Sequence, residues 1–179
     1  VDDYLQTSGP HVFAAGDVIG DPMFVYTAAY EGALAAANAS AADTTEKTRR
    51  DYNPLAWVIF TDPQVAGVGM DAQQAKAAGI DAEVSTLPMD KVPRALVARQ
   101  TDGFLQLIRD RETDQIIGGR ALAHEGSEMM MEISLALRHK MTAKDLAALF
   151  HPYLTLSEAV KLAALSFGKD VNKLSCCAT

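Results

Sequence analysis

The sequence predicts an α+β fold: an antiparallel sheet with helices packed on it, preceded by one strand–helix piece of a separate unit. Three observations carry this. Strand signals dominate residues 55–123, three helical patterns crowd residues 127–167, and a polar, apolar-poor stretch over 40–54 separates both from the N-terminal piece. Strands first and helices mostly later is the order of a sheet covered by a helical layer.

In the N-terminal piece, Gly9-Pro10 opens a turn, His11-Val12-Phe13-Ala14-Ala15 reads as a short buried strand, and Gly16-Asp17 closes it in a tight corner. Strands end on glycine where the backbone must approach a ligand closely. An aspartate at such a corner can accept hydrogen bonds from sugar or ribityl hydroxyls, or simply serve the turn. Met23-Phe24-Val25-Tyr26 then leads into an Ala-rich helix over 27–42. The N–H groups at its start are expected to face the corner and favour negative charge there. Ser40, Asp43, Thr44, Glu46, Lys47, Arg49, Arg50 and Asp51 follow, ending at Asn53-Pro54, and read as a linker or surface crossing.

Beyond the linker, residues 55–60 form a strand-like apolar run halted by Asp62-Pro63. Asp71 caps a helix that runs to Ala78 and stops at Gly79. Residues 82–87, 104–109 and 116–123 read as strands, the last two joined by a charged turn over 110–115. Helices are expected over 127–138, 142–149 and 156–167, with Thr155 and Glu158 at capping-box spacing for the last. The resulting domains are 1–45, a linker over 46–54, 55–167, and a tail over 168–179.

Composition limits the partners. A formal charge of −7 with no Lys/Arg stripe argues against nucleic acid. Apolar stretches are broken by charge and proline before the ~20 residues a bilayer crossing needs, so no membrane partner is expected. The chain opens at Val1, inside an ordered-looking segment, and is expected to be the C-terminal part of something longer. No signal-peptide pattern is present, and two lone cysteines fit a reducing compartment, so a cytoplasmic location is expected.

Those two cysteines are adjacent, Cys176-Cys177, two residues from the C-terminus. Neighbouring residues form a disulfide only as a strained ring. Two thiolates on a terminal arm suit a soft metal or exchange with another sulfur, although a tail can also carry cysteines without using them. Two further patterns are decoys. Gly67-Val68-Gly69-Met70-Asp71-Ala72 satisfies G-x-G-x-x-A, with Asp90 near the distance of a ribose-binding acid, but Pro63 leaves too little strand ahead of it. Met129-Met130-Met131 points three ways on a helix, as packing residues do. His124 and His139 lack partners at metal-ligand spacing.

Residues 7–17, Thr-Ser-Gly-Pro-His-Val-Phe-Ala-Ala-Gly-Asp, resemble the second FAD-binding motif of the flavoprotein pyridine-nucleotide disulfide reductases. Residues 55–167 are similar to the interface (dimerisation) domain of that family. Within it, Phe24-Val25-Tyr26, residues 61–66, residues 92–96, Pro152-Tyr153-Leu154-Thr155 and the Cys-Cys ending resemble the mercury(II)-reducing branch. The resemblance implies FAD and NADPH as cofactors, Hg(II) as substrate and a homodimer as the working form. It also implies site roles: Asp17 and Gly16 at the FAD ribityl chain, backbone at Val25 beside the flavin, Cys176 and Cys177 as the metal-capturing thiols.

Most members of the family carry His-Pro-Thr-x-x-Glu, in which His and Glu form an acid/base dyad. Counting back five from Glu158 lands on Tyr153, while His151 lies two residues too early. A phenol, with an ordinary pKa near ~10, is a poor base at neutral pH. The change suits a metal substrate, with Tyr153 steadying the ion or donating a hydrogen bond near the thiolates; Glu158 stands beside it as candidate partner or as a helix cap. The expected function is therefore the C-terminal portion of an NADPH-dependent mercury(II) reductase, inactive by itself because the other family motifs lie outside these residues. The alternatives are a dihydrolipoamide or disulfide reductase, and a non-enzymatic dimerising module that binds a soft metal.

Overall fold

The computed structural model describes residues 1–170, in two compact units that meet between Tyr52 and Asn53. Cys176 and Cys177 lie outside the described residues.

The first unit is organised by one helix, α1 (Val25–Ser40). Its first turn is closed by Thr27: the buried hydroxyl accepts the Phe24 N–H at 3.2 Å and lies within 2.8 Å of the Phe24 and Pro22 carbonyls. Leu34 and Ala35 pack with Leu5, Phe13, Ala15 and Ile19 into a small core. The expected buried strand over 11–15 is not formed. Only Phe13 bridges, to Gln6, and Val12 is 53% exposed. A buried strand needs ladder partners on both sides, and Gln6 is the one extended neighbour the unit offers among the described residues. The polar stretch is tied back onto this unit: Asn38 exchanges hydrogen bonds with Thr48, Arg50 N–H reaches Asp3 O, and Tyr52 reaches Glu31.

The second unit is a five-stranded antiparallel sheet in the order β1-β2-β5-β4-β3, formed by β1 (Ala56–Ile59), β2 (Gln64–Gly69), β3 (Ala82–Pro88), β4 (Phe104–Asp110) and β5 (Ile116–Ala123). The α+β expectation is met. Helix α2 (Ala72–Ala77) starts at Asp71, whose carboxylate accepts the Gln74 N–H, and is followed by Gly79 at φ 76°. Helix α3 (Pro93–Ala98) is an addition to the predicted elements; Pro93 sits in its first turn, where the missing N–H costs nothing. Helices α4 (Met130–Arg138), α5 (Ala143–Ala148) and α6 (Glu158–Leu165) complete the unit. α4 lies over β1, β2 and β5, α6 lies over β3 and β4, and α5 packs on α6. Between them Val68, Leu105, Leu107, Ile133, Val160 and Ala163 form one core.

β2 is likewise new relative to the sequence reading, which took its glycines as a nucleotide decoy. It is antiparallel to both neighbours, so the G-x-G pattern has no βαβ context. The glycines serve packing. A Cβ at Gly67 would lie 2.6 Å from the Trp57 ring, and one at Gly118, paired opposite Gly69 and Ile108, would run into Met70 O. The expected capping box of α6 also fails. Ser157 is the N-cap, Thr155 Oγ1 donates to Pro152 O at 2.9 Å, and Glu158 turns inward at 3% exposure.

Candidate functional site

In the first unit the Gly16-Asp17 corner is a single turn of 3-10 helix, Asp17–Ile19, closed by Ile19 N–H to Gly16 O at 2.9 Å. Gly16 holds φ 80°, a conformation most residues avoid, and a Cβ there would touch Ala28 in the second turn of α1. The corner and the start of α1 are therefore neighbours. Asp17 is exposed, and Val25, the first helical residue, is 88% exposed. An exposed carboxylate beside a helix N-terminus offers an acceptor for hydroxyls, and the positive end of the helix dipole favours negative charge. Phe24 and Tyr26 stack at 5.3 Å around that terminus, and burial pushes the Tyr26 phenol above its usual pKa.

In the second unit the chain between α5 and α6, residues 149–157, carries Tyr153. The loop is pinned at its base. Lys161 Nζ donates to Leu149 O at 3.1 Å, and the His151 ring sits 2.6 Å from Glu132 Oε1 and 3.3 Å from Leu149 O. His151 is thus a structural tie to α4, with its side chain 6% exposed. Between these ties Phe150 is fully exposed at 101% and Tyr153 is 65% exposed. Leu154 holds φ 69°, a left-handed conformation that costs a bulky residue ~1–3 kcal/mol and persists only where flanking contacts impose it.

Glu158 does not meet Tyr153 as a surface dyad would. It is buried at the start of α6, and its Oε2 has no hydrogen-bond partner among the described residues. A buried oxygen left unpaired costs ~1–3 kcal/mol, more than the ~0.3–1 kcal/mol an acid gains at a helix N-terminus. Glu158→Met, close in shape, is therefore expected to stabilise this chain by about 1 kcal/mol, read as a higher urea midpoint at unchanged m-value. A loss of stability would make Glu158 an ordinary helix cap.

Among the described residues no group of three or more His, Cys, Asp or Glu side chains is placed to hold a metal ion, and no helix is long and apolar enough to cross a membrane. Sequence reasoning missed Glu31 and Glu132. Glu31 is fully buried in α1, and Glu132 reaches a histidine 19 residues away; neither has a local signal.

Residues 55–164 match the family model described as "Pyridine nucleotide-disulphide oxidoreductase, dimerisation domain". The chain is 44% identical over 178 residues to mercuric reductase of Bacillus cereus, covering 99% of this chain and 28% of the relative. It is 45% identical over 176 residues to that of Staphylococcus aureus, covering 98% and 32%. Among solved structures, LpdA from Mycobacterium tuberculosis superimposes with a TM-score of 0.78 at 28% identity, over 92% of this chain and 35% of that one. The Cu(II) complex of the HOCl-induced flavoprotein disulfide reductase RclA from Escherichia coli gives 0.79 at 27%, over 89% and 37%. The chain spans roughly a third of the length of these relatives. With a five-stranded antiparallel sheet, its helical layer and this match over most of the second unit, the chain belongs to the pyridine nucleotide-disulphide oxidoreductase family and contains that family's dimerisation domain.

Proposed function

We propose that the chain is the C-terminal portion of an NADPH-dependent, FAD-containing mercury(II) reductase, working as a homodimer. Its domains are 1–45, the end of the FAD-binding domain; 46–54, a linker; 55–167, the dimerisation domain; and 168–179, a thiol-bearing tail. The observation that carries the reading is the likeness to mercuric reductases along 99% of the chain, across both units.

The residues present fit the flavin. Gly16 brings the backbone close, the exposed Asp17 carboxylate accepts hydroxyl hydrogens of the ribityl chain, and the helix N-terminus at Val25 favours negative charge near the ring. FAD held there would supply the two-electron relay from NADPH by which Hg(II) becomes Hg(0).

This chain's own part is to deliver the ion. Cys176 and Cys177 capture Hg(II) as a two-coordinate dithiolate, releasing the thiol protons, and pass it by thiolate exchange to the active site of the partner subunit. Each exchange forms one Hg–S bond as another breaks, so the ion is never free in water. Tyr153, exposed on its pinned loop, donates a hydrogen bond or steadies the ion at that transfer. Glu158, buried at the start of α6, is the further residue assigned to that site by the resemblance.

A second reading keeps the enzyme class and changes the substrate to a disulfide, and the likeness to RclA favours it. The two separate in one assay. The protein made from the complete coding sequence is expected to carry a flavin absorbance band and to oxidise NADPH on addition of Hg(II), with little response to glutathione disulfide or lipoamide. Turnover on a disulfide without a response to Hg(II) would establish the second reading instead.

A further inference from the structure

Glu31 is the one acid in α1 and is fully buried, yet both of its carboxylate oxygens are occupied. Oε2 accepts the Gly16 N–H at 2.7 Å, and Oε1 accepts the Tyr52 hydroxyl at 2.6 Å. These partners lie 15 and 21 residues away, on opposite sides of the helix in sequence. A carboxylate taken out of water is costly unless it is fully hydrogen-bonded. Charge-assisted bonds of this length are among the stronger and more directional ones a protein makes. A helix rich in alanine had cheaper ways to fill the space.

The placement of the two bonds indicates the purpose. The Gly16 N–H belongs to the peptide that enters the corner, immediately before Asp17, and Gly16 lies at φ 80°. Fixing that peptide fixes where the Asp17 carboxylate emerges. Tyr52 is the last residue of the first unit. Its ring packs edge-on against Tyr30 at 6.0 Å and under Arg50 at 5.9 Å, so the hydroxyl is delivered to Glu31 by a braced ring. Burial and the Glu31 carboxylate hold the phenol above its usual pKa, which keeps it a donor.

We infer that Glu31 is a positioning residue for the flavin corner, with Tyr52 as its second anchor, so that retention of the flavin depends on a tyrosine at the far end of the polar crossing. The inference rests on the flavoprotein reading above. It goes beyond that reading by assigning roles to two residues that touch no cofactor themselves.

The test uses the protein made from the complete coding sequence, stripped of flavin and titrated with FAD by flavin fluorescence, alongside the unfolding midpoint of each flavin-free protein. Glu31→Ala is expected to weaken FAD binding about tenfold or more, and Tyr52→Phe about threefold to tenfold. Glu31→Gln, which keeps an acceptor for only one partner, falls between Glu31→Ala and the parent. The flavin-free midpoint of Tyr52→Phe falls, because a buried Glu31 oxygen loses its partner although no cavity opens, so every FAD affinity is read at a temperature well below the midpoints. A residue that merely held the fold would lower the midpoint and leave the affinity of the folded protein alone. FAD affinities of Glu31→Gln and Tyr52→Phe within twofold of the parent overturn the inference, even where Glu31→Ala fails to fold. A parent protein that binds no FAD overturns the flavoprotein reading itself, and the inference falls with it.

Discussion

Replacing Cys176 and Cys177 together by alanine is expected to lower the affinity of this chain for Hg(II) by more than about a thousandfold, about 4 kcal/mol. The two thiols are the only ones in the sequence, and the described residues hold no alternative cluster of metal ligands. Mercury(II) is soft and binds two thiolates in preference to nitrogen or oxygen donors. Removing one cysteine leaves a single strong ligand, so either Cys→Ala alone should already lose most of the affinity. An ordinary thiol, with a pKa near ~8.5, is mostly protonated at neutral pH. Binding must displace those protons, and a lightly buffered titration should record their release. Tyr153→Phe is expected to leave capture intact, since in the proposed function the phenol acts at transfer. The measurement is competition against a small dithiol. A doubly substituted chain that holds Hg(II) as tightly as the parent would place the site elsewhere.

The elements legible in the sequence are those whose signals are local. Helix α1 is expected over 27–42 and runs Val25–Ser40, because a stretch rich in alanine needs little tertiary help. The β4–β5 hairpin was legible for the same reason: apolar alternation flanks a charged turn at 110–115. β2 was not, because Gly67 and Gly69 weaken a strand signal, and the cause of those glycines is the Trp57 ring and the β5 backbone across the sheet. The 11–15 segment erred the other way: its residues suit a buried strand, but a strand exists only where partners supply its ladder. Of the candidate site residues, Asp17 and Tyr153 come from short motifs, and both stand exposed on turns. Glu31 escaped notice since a glutamate in a helix is ordinarily a surface residue. Only the fold brings Gly16 and Tyr52 to its two oxygens.

Leu135→Glu combined with Phe150→Asp is expected to convert a self-associating protein to monomers, weakening association by about a thousandfold, about 4 kcal/mol. Met131 and Leu135 are one turn apart on α4 and are 61% and 55% exposed. The His151–Glu132 contact at 2.6 Å ties the loop that carries Leu149 and Phe150, 44% and 101% exposed, to that helix. α4 also lies over the edge strand β1, at whose end Ile59 and the following Phe60 are 55% and 78% exposed. Apolar surface gathered in this way is rare on a protein that stays alone, and an uncovered edge strand invites pairing. In a symmetric dimer each buried side chain is lost twice, once per copy, so two substitutions act at four places. A charge forced into a desolvated interface without a partner costs several kcal/mol, which makes the expected effect large even if one of the pair lies at the rim. Both positions are exposed, so the isolated fold should be spared and far-ultraviolet circular dichroism should not change. Sedimentation at tens of micromolar gives the answer. A parent that is already monomeric, or a variant that sediments as the parent dimer does, would show that this face is not where the two copies meet.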